Sequence, residues 1–156
     1  MKLKTCLWLA LTILFASCSS SKKDGLLGDF SSIPSELLSS QEQRFTELSV
    51  SKENGIYFLQ SIKKDGNLRE WSDKLELKPV SKEKIKELFS PEQEKNVKYG
   101  LFLETKTSGK KAEFYFFKAD KDESDELFKT GYFSCTFTTT SWGAPYNSRY
   151  PLYKLN

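Results

Sequence analysis

The chain has 156 residues, a formal net charge of +3 and an aromatic fraction of 14%. The length predicts one domain, the aromatic content argues against a disordered chain, and the weak positive charge argues against a nucleic-acid-binding protein. The sequence contains no histidine, the commonest general base and a common transition-metal ligand, so no metal site and no cofactor are predicted.

The N-terminal segment has the composition of an export signal. Lys2 and Lys4 precede an apolar run of eleven residues, 6–16, which only Thr12 interrupts. A membrane-spanning helix needs about 20 apolar residues, and this shorter run ends in small residues, as a cleaved signal does. We therefore predict a signal peptide over residues 1–17 rather than a buried N-terminal helix.

The segment that ends this run, Leu14-Phe15-Ala16-Ser17-Cys18, resembles the lipobox of bacterial lipoproteins. The resemblance implies cleavage between Ser17 and Cys18, a lipid on the Cys18 sulfur and, usually, acylation of the new N-terminus. Phe15 departs from the usual Leu, Val or Ile, and such relaxed boxes are similar to those of spirochaetes. The implied location is the bacterial cell envelope, with a membrane partner reached through the lipid. In lipoproteins of enterobacterial type, an Asp directly after the cysteine retains the protein at the inner membrane. No Asp follows Cys18, so the resemblance favours the outer membrane.

Processing at this site changes the charge and the thiols of the mature chain. Removal of residues 1–17 takes Lys2 and Lys4 with it, so most of the net positive charge belongs to the signal. With Cys6 removed and Cys18 lipidated, Cys135 remains as a single thiol. No intramolecular disulfide is therefore predicted, and the core alone must hold the fold.

The mature chain is predicted to consist of a tether and one domain. Residues 18–32, the lipidated cysteine and a flexible tether, are rich in serine, glycine and charge. Residues 33–156 form a single globular domain. Three apolar residues, Leu26, Leu27 and Phe30, depart from the tether composition. The sequence allows two roles for them: docking on the domain or insertion at the membrane surface.

The hydrophobic pattern of the domain predicts paired strands and one main helix. Alternating apolar residues separated by turns indicate strands at 45–50, 55–62, 68–77, 97–106, 112–119 and 132–139, with a short edge strand near 150–155. Ser81 caps a helix with Ile85, Leu88 and Phe89 on one face, and Ser90 with Pro91 starts another short turn. We predict an α+β fold with an antiparallel sheet of about six strands, with a small β-sandwich or an open barrel as the alternative.

Three strands carry predictions about which residues face the core. The alternation predicts one buried face in 55–62 and one in 97–106, whereas aromatic residues on both faces of 112–119 predict a central strand covered on both sides. The residues concerned are Ile56, Phe58 and Ile62; Val97, Tyr99, Leu101 and Leu103; and Phe114 and Phe116 opposite Tyr115 and Phe117.

The candidate catalytic and metal-binding residues favour structural roles. Cys135 has no histidine to activate it and shares a strand face with two phenylalanines, so a buried structural thiol is predicted. Asp120, Asp122 and Ser124 match the first positions of a calcium loop, but Asp125 stands where the loop requires glycine, so a solvated loop is predicted. No phosphate loop, nucleophile elbow or distinct carboxylate pair is present, and we predict no catalytic residues.

The C-terminal tail is the candidate binding surface. It combines the residue types enriched at interface hot spots: Trp142, Tyr146, Arg149, Tyr150 and Tyr153. The favoured alternative is that the rings pack under the sheet and the neighbouring prolines protect its edge. The expected function is a non-enzymatic envelope lipoprotein that binds a protein partner or host ligand, or has a structural role. The alternative is a lipoprotein enzyme acting on cell wall or glycan.

Overall fold

The structure, a computed structural model, describes residues 25–37, 47–65, 68–107, 110–139 and 143–155. Within these ranges the chain forms ten strands, two short helices and, after the first strand, one 3-10 turn at Ser35–Leu37. The strands are β1 (Gly28–Ser31), β2 (Glu47–Glu53), β3 (Ile56–Asp65), β4 (Leu68–Trp71), β5 (Leu75–Pro79), β6 (Val97–Thr107), β7 (Lys110–Ala119), β8 (Tyr132–Thr139), β9 (Pro145–Pro151) and β10 (Tyr153–Leu155). The helices are α1 (Lys82–Leu88) and α2 (Pro91–Glu94).

The strands form one antiparallel sheet that is nearly closed into a barrel. Its order is β10-β1-β2-β3-β5-β6-β7-β8-β9, with β4 paired to β3 outside this path. Only Leu152 separates β9, which pairs with β8, from β10, which pairs with β1. A single stretch of chain therefore joins the two ends of the sheet. This architecture corrects the prediction of six strands with one main helix and supports the barrel alternative.

Both helices begin where the sequence predicts. The Ser81 Oγ accepts the N–H of Lys84 at 3.2 Å, and the Ser90 Oγ accepts the N–H of Gln93 at 3.3 Å, with Pro91 in the first turn of α2. The helices are only seven and four residues long, so they are minor elements. Among the described residues, no helix has the length and apolar character needed to cross a membrane.

A cluster of buried side chains packs inside the barrel. This cluster contains Leu26, Phe30, Leu48, Val50, Leu59, Leu77, Leu101, Phe116 and Leu152. At its centre the Phe30 and Phe116 rings meet edge to face, with centroids 4.9 Å apart. A barrel of this size has room either for its own side chains or for one small ligand, and around these two rings side chains occupy the interior.

A second buried cluster lies on the outer side of β7 and β8, beneath α1. Phe117 stacks on Phe133 with centroids 5.1 Å apart and meets Phe89, just after α1, edge to face at 5.1 Å. Phe116 faces the barrel interior while Tyr115 and Phe117 belong to this outer cluster. The prediction that this strand is covered on both sides is confirmed.

Two of the predicted strand faces need correction. Asn54 and Gly55 both have positive φ, 50° and 86°, and form a tight hairpin in which Glu53 pairs with Ile56. This register turns Tyr57 and Leu59 toward the interior and leaves Ile56 43% exposed. The predicted face of Ile56, Phe58 and Ile62 is therefore wrong by one residue.

The second correction concerns β6. A register shift between Val97 and Tyr99 places Val97 against the outer cluster, whereas Leu101 and Leu103 pack in the interior. Tyr99 is 62% exposed at the end of the strand. The four residues therefore do not share one buried face, because the bulge breaks the alternation.

The folded domain begins earlier than the sequence predicts. β1 pairs with β2 on one side and β10 on the other, and both Leu26 and Phe30 are buried. The Tyr132 hydroxyl also donates to the carbonyl of Gly25 at 2.9 Å. The boundary predicted between residues 32 and 33 is therefore wrong, and Leu26 and Phe30 dock on the domain. The predicted signal peptide, with Ser17 and Cys18, lies outside the described residues.

Candidate functional site

The predicted tail surface is divided when β9 joins the barrel. Tyr146 and Tyr150 lie four residues apart on one face of β9 and are 48% and 51% exposed. Arg149 is directed to the opposite face, and Tyr153 is half-buried in β10. Trp142 lies outside the described residues. Of the five predicted residues, the structure therefore brings only Tyr146 and Tyr150 together on one exposed face.

Arg149 connects β9 to the end of α1. Its guanidinium donates to the carbonyl of Leu88, the last residue of α1, at 2.9 Å and lies 5.3 Å from the centre of the Phe89 ring. A cation at a helix C-terminus satisfies a carbonyl that has no partner within the helix. Arg149 thus stabilises the packing of α1 on the barrel.

Prolines protect the outer edge of β9. The N–H of Leu152, directly after β9, donates to the carbonyl of Tyr132 in β8 at 2.8 Å. Backbone groups alternate in direction along a strand, so the even-numbered residues of β9 also direct theirs toward β8. The odd-numbered residues direct theirs to the outer edge: Pro145, Asn147, Arg149 and Pro151. The two prolines have no N–H to donate, which disfavours addition of a partner strand. The tyrosine side chains, rather than the strand edge, are therefore the surface of β9 suited to binding.

A groove of about 280 Å³ lies between the end of β5, the start of α1 and the outer face of β6 and β7. The residues lining it are Pro79, Val80, Ser81, Lys84, Phe102, Glu113 and Tyr115. Phe102 and Tyr115 stack with ring centroids 5.9 Å apart, so the floor of the groove is aromatic. No local sequence pattern indicates the whole of this groove, because its walls come from four separate elements.

A polar network crosses one side of this groove. The Tyr115 hydroxyl donates to Glu113 Oε2 at 2.7 Å, and Lys111 Nζ lies 2.7 Å from Glu113 Oε1 and 2.9 Å from Glu104 Oε2. The hydrogen bond from Lys111, followed by that from Tyr115, lowers the pKa of Glu113. Burial, followed by the bond to Glu113, raises the pKa of Tyr115 well above its ordinary value. Glu113 is therefore held ionised, which does not favour a role as a general acid.

Replacement of Glu113 by Gln is expected to weaken the fold at neutral pH by about 1 kcal/mol, the order of one charge-assisted hydrogen bond. A lowered pKa contributes stability above the unfolded-state value, about 4.3 for Glu, and this stability is lost as pH falls through the folded-state value. The difference between wild type and Glu113→Gln should therefore shrink between pH 7 and pH 3 in urea unfolding. Glu92→Gln, on the exposed side of α2, is the control; a difference for Glu113→Gln that is constant with pH would contradict the expectation.

Cys135 lies in the outer cluster and is 1% exposed, which confirms the predicted burial. Loss of solvent raises the pKa of its thiol to about 12, against a smaller opposing effect of Arg149. Thiolate is the reactive form of cysteine, and with this pKa only about one thiol in 10⁴ is ionised at pH 8.

We expect Cys135 to resist a thiol reagent such as 5,5′-dithiobis(2-nitrobenzoate) in the folded protein and to react at once after denaturation. Both low exposure and a raised pKa slow the reaction. The measurement compares labelling rates at pH 8 with and without urea. A folded-state rate close to that of a free cysteine peptide would be inconsistent with this burial.

The acidic loop after β7 uses its carboxylates to close its own turns. Asp122 Oδ1 accepts the N–H and the hydroxyl of Ser124 at 3.0 and 2.6 Å, and Asp125 Oδ1 accepts the N–H of Leu127 at 2.8 Å. The bonds from Ser124 lower the pKa of Asp122. Across the ranges that the structure describes, no group of three or more His, Cys, Asp or Glu residues could hold a metal ion.

Comparisons with known proteins supply no relative from which a function could be transferred. No protein-family model matches the chain, no curated protein is similar to it, and no solved structure matches it. Functional inference therefore depends on this chain's own residues.

Proposed function

We propose that the protein is a lipid-anchored lipoprotein of the bacterial cell envelope, with a binding or structural role that does not involve catalysis. The observation that carries the proposal is the order of basic residues, apolar run and small residues that ends at Cys18. The outer membrane is the proposed location, since the residue after Cys18 is Ser rather than Asp. Two or three acyl chains would hold the protein far more firmly than one.

The early start of the domain supports a short anchor. Only residues 19–24 separate Cys18 from Gly25, the first residue described. A fully extended chain spans at most about 3.5 Å per residue, so these residues and their flanking bonds reach about 25 Å. A domain on this tether stays next to the membrane surface, as expected of a protein that acts within the envelope.

The two tyrosines of β9 direct the proposed binding role to the exposed part of the barrel's inner face, because they share the face of Leu152 and yet are half exposed. Phe30, Phe116 and their neighbours occupy the interior beside β1 and β7, so this part of the barrel is not available to a ligand. Tyr146 and Tyr150 present two half-exposed rings on one face, and tyrosine is enriched at interface hot spots. The proposed partner at this surface is a protein, either of the envelope or of a host.

Replacement of Cys18 by Ala tests the anchor. We expect the wild-type protein, purified from bacterial membranes, to begin at Cys18, to carry the mass of attached acyl chains and to partition into the detergent phase of Triton X-114. The Cys18→Ala variant should retain residues 1–17 and lack the added mass, whereas Cys135→Ala should behave as wild type. An unchanged lipid mass in Cys18→Ala would refute the proposal.

A photo-crosslinking amino acid at Tyr146 or Tyr150 tests the binding surface. The same amino acid at Tyr99, an exposed tyrosine of β6 that β7 and β8 separate from β9, is the matched control. In cells that produce the protein, we expect discrete crosslinked species from positions 146 and 150 that are missing from position 99. The same crosslinked species from all three positions would contradict a specific role for this face.

A further inference from the structure

The chain enters the barrel at a defined end. Gly28 pairs with Val50, three residues before β2 ends at Glu53, so the chain before Gly28 runs toward the β2–β3 turn. The carbonyl of Gly25 accepts the Tyr132 hydroxyl at the start of β8. Tyr132 pairs with Lys118, and Lys118 pairs with Tyr99. Gly25, the β2–β3 turn and Tyr99 therefore lie at one end of the barrel, called here the anchor end.

Two exposed hydrophobic side chains project at the anchor end. Tyr99 is 62% exposed, the highest value among the large hydrophobic residues exposed in the described part of the chain, and Ile56, beside the β2–β3 turn, is 43% exposed. Tyrosine is enriched at membrane surfaces, where its ring contacts the lipid and its hydroxyl stays hydrated. These two side chains therefore have the character of residues that contact lipid headgroups.

Two lysines lie where the chain enters this end. A Cβ built on Gly25 would clash with Lys118 Nζ at 2.0 Å, and one built on Gly28 would clash with Lys154 Cε at 2.8 Å, so both side chains lie against this segment. Lys22 and Lys23 precede it in the sequence. The nearby Asp120 carboxylate is bound by Lys98 at 2.6 Å, which offsets its negative charge. Lysines next to an anionic leaflet are attracted to its lipid phosphates.

We propose that the anchor end of the barrel rests on the lipid bilayer, with Tyr99 and Ile56 at the headgroup level and Lys118 and Lys154 facing the lipid phosphates. The inference rests on the proposed lipidation of Cys18, because the short tether is what keeps this end at the surface. It also gives the domain an orientation: Tyr146, which pairs with Thr138 at the opposite end of β8, is directed away from the membrane.

Single cysteine labels test this orientation. The chain suits the method, since Cys135 is buried and the Cys18 sulfur is occupied in the lipidated protein. Tyr99→Cys and Ile56→Cys carry a nitrobenzoxadiazole fluorophore at the anchor end, and Tyr146→Cys carries it at the far end as the matched control. Each full-length lipidated variant is reconstituted in vesicles of phosphatidylethanolamine and phosphatidylglycerol, and its lipid mass is verified beforehand.

We expect iodide in the water to quench the labels at positions 99 and 56 roughly threefold less than the label at 146, as for groups at the membrane interface. A nitroxide on the lipid headgroup should quench them more than the label at 146. Lys118→Gln with Lys154→Gln should reduce this difference in anionic vesicles. Equal quenching at all three positions in protein that carries lipid would overturn the orientation alone, whereas absence of lipid on Cys18 would overturn the proposed function.

Discussion

A chain that begins at Ile33 is expected to remain unfolded, whereas one that begins at Gly25 is expected to fold. The difference is the segment 25–32, which the sequence pattern assigns to a tether and the structure places in the barrel. β1 pairs with β2 and β10, so its loss leaves two strand edges without a partner and opens the barrel.

The buried side chains of this segment contribute enough free energy of folding to decide whether the shorter chain folds. Phe30 is fully buried against Phe116 and Tyr132, with centroid distances of 4.9 and 5.1 Å, and Leu26 is buried in the same cluster. Truncation to Ala costs about 3–5 kcal/mol for a buried Phe and about 2–5 kcal/mol for a buried Leu. Their sum approaches the entire stability of a small domain, about 5–15 kcal/mol, before the lost strand pairing is counted.

The measurement is urea unfolding followed by circular dichroism and tryptophan fluorescence, on chains starting at Gly25 and at Ile33. The Gly25 chain should show one cooperative transition, and the Ile33 chain none. A third chain that starts at Gly25 and carries Phe30→Ala is the control for side-chain loss without strand loss and should have intermediate stability. A cooperative transition of equal midpoint in the Ile33 chain would mean that β1 is dispensable.

The reason that β1 escapes prediction is local. Its sequence, Gly-Asp-Phe-Ser, has too few apolar residues to show an alternation, and glycine and serine are typical of linkers. What makes it a strand is its pairing with β10, in which Asp29 lies opposite Leu155 at the other end of the chain. By contrast, β7 carries aromatic rings on both faces, and the helix starts carry capping serines, so these features are visible in the sequence alone.

The candidate surfaces also combine features that the sequence indicates with features that depend on long-range strand pairing. Residue type alone indicates Tyr146 and Tyr150, and the alternation of a strand explains why Arg149 between them is directed to the other face. The groove joins Ser81, Phe102 and Tyr115 from separate elements, which only the sheet register brings together. Its one local signal is the spacing of Glu113 and Tyr115, two residues apart on one face of a predicted strand.

Replacement of Phe117 by Ala is expected to destabilise the domain by about 3–5 kcal/mol, as for other buried aromatic residues. The ring is fully buried between Phe89 and Phe133 and connects the outer cluster to the chain just after α1. Its loss should therefore also release α1, and amide hydrogen exchange in that helix should accelerate more than in β2. Tyr99→Ala, at an exposed position of the neighbouring strand, is the control and should change stability by less than about 0.5 kcal/mol. Equal acceleration in α1 and β2 would contradict this role for Phe117.

A substitution at Gly100 tests how closely the Phe117 ring packs on the neighbouring strand. Gly100 pairs with Phe117, and a Cβ at position 100 would lie 2.4 Å from Cε1 of that ring, too close for both to stay in place. Gly100→Ala should therefore cost about 1–3 kcal/mol in the wild-type chain, as overpacking does. With Phe117→Leu as background, which keeps an apolar side chain but removes the ring, the same substitution should cost less. Urea unfolding of the four chains measures the coupling energy between the two positions. Additive costs would show that the ring does not require glycine at this position. A smaller cost in the Leu background would show that the Phe117 ring, which holds the outer cluster together, fits only because residue 100 has no side chain.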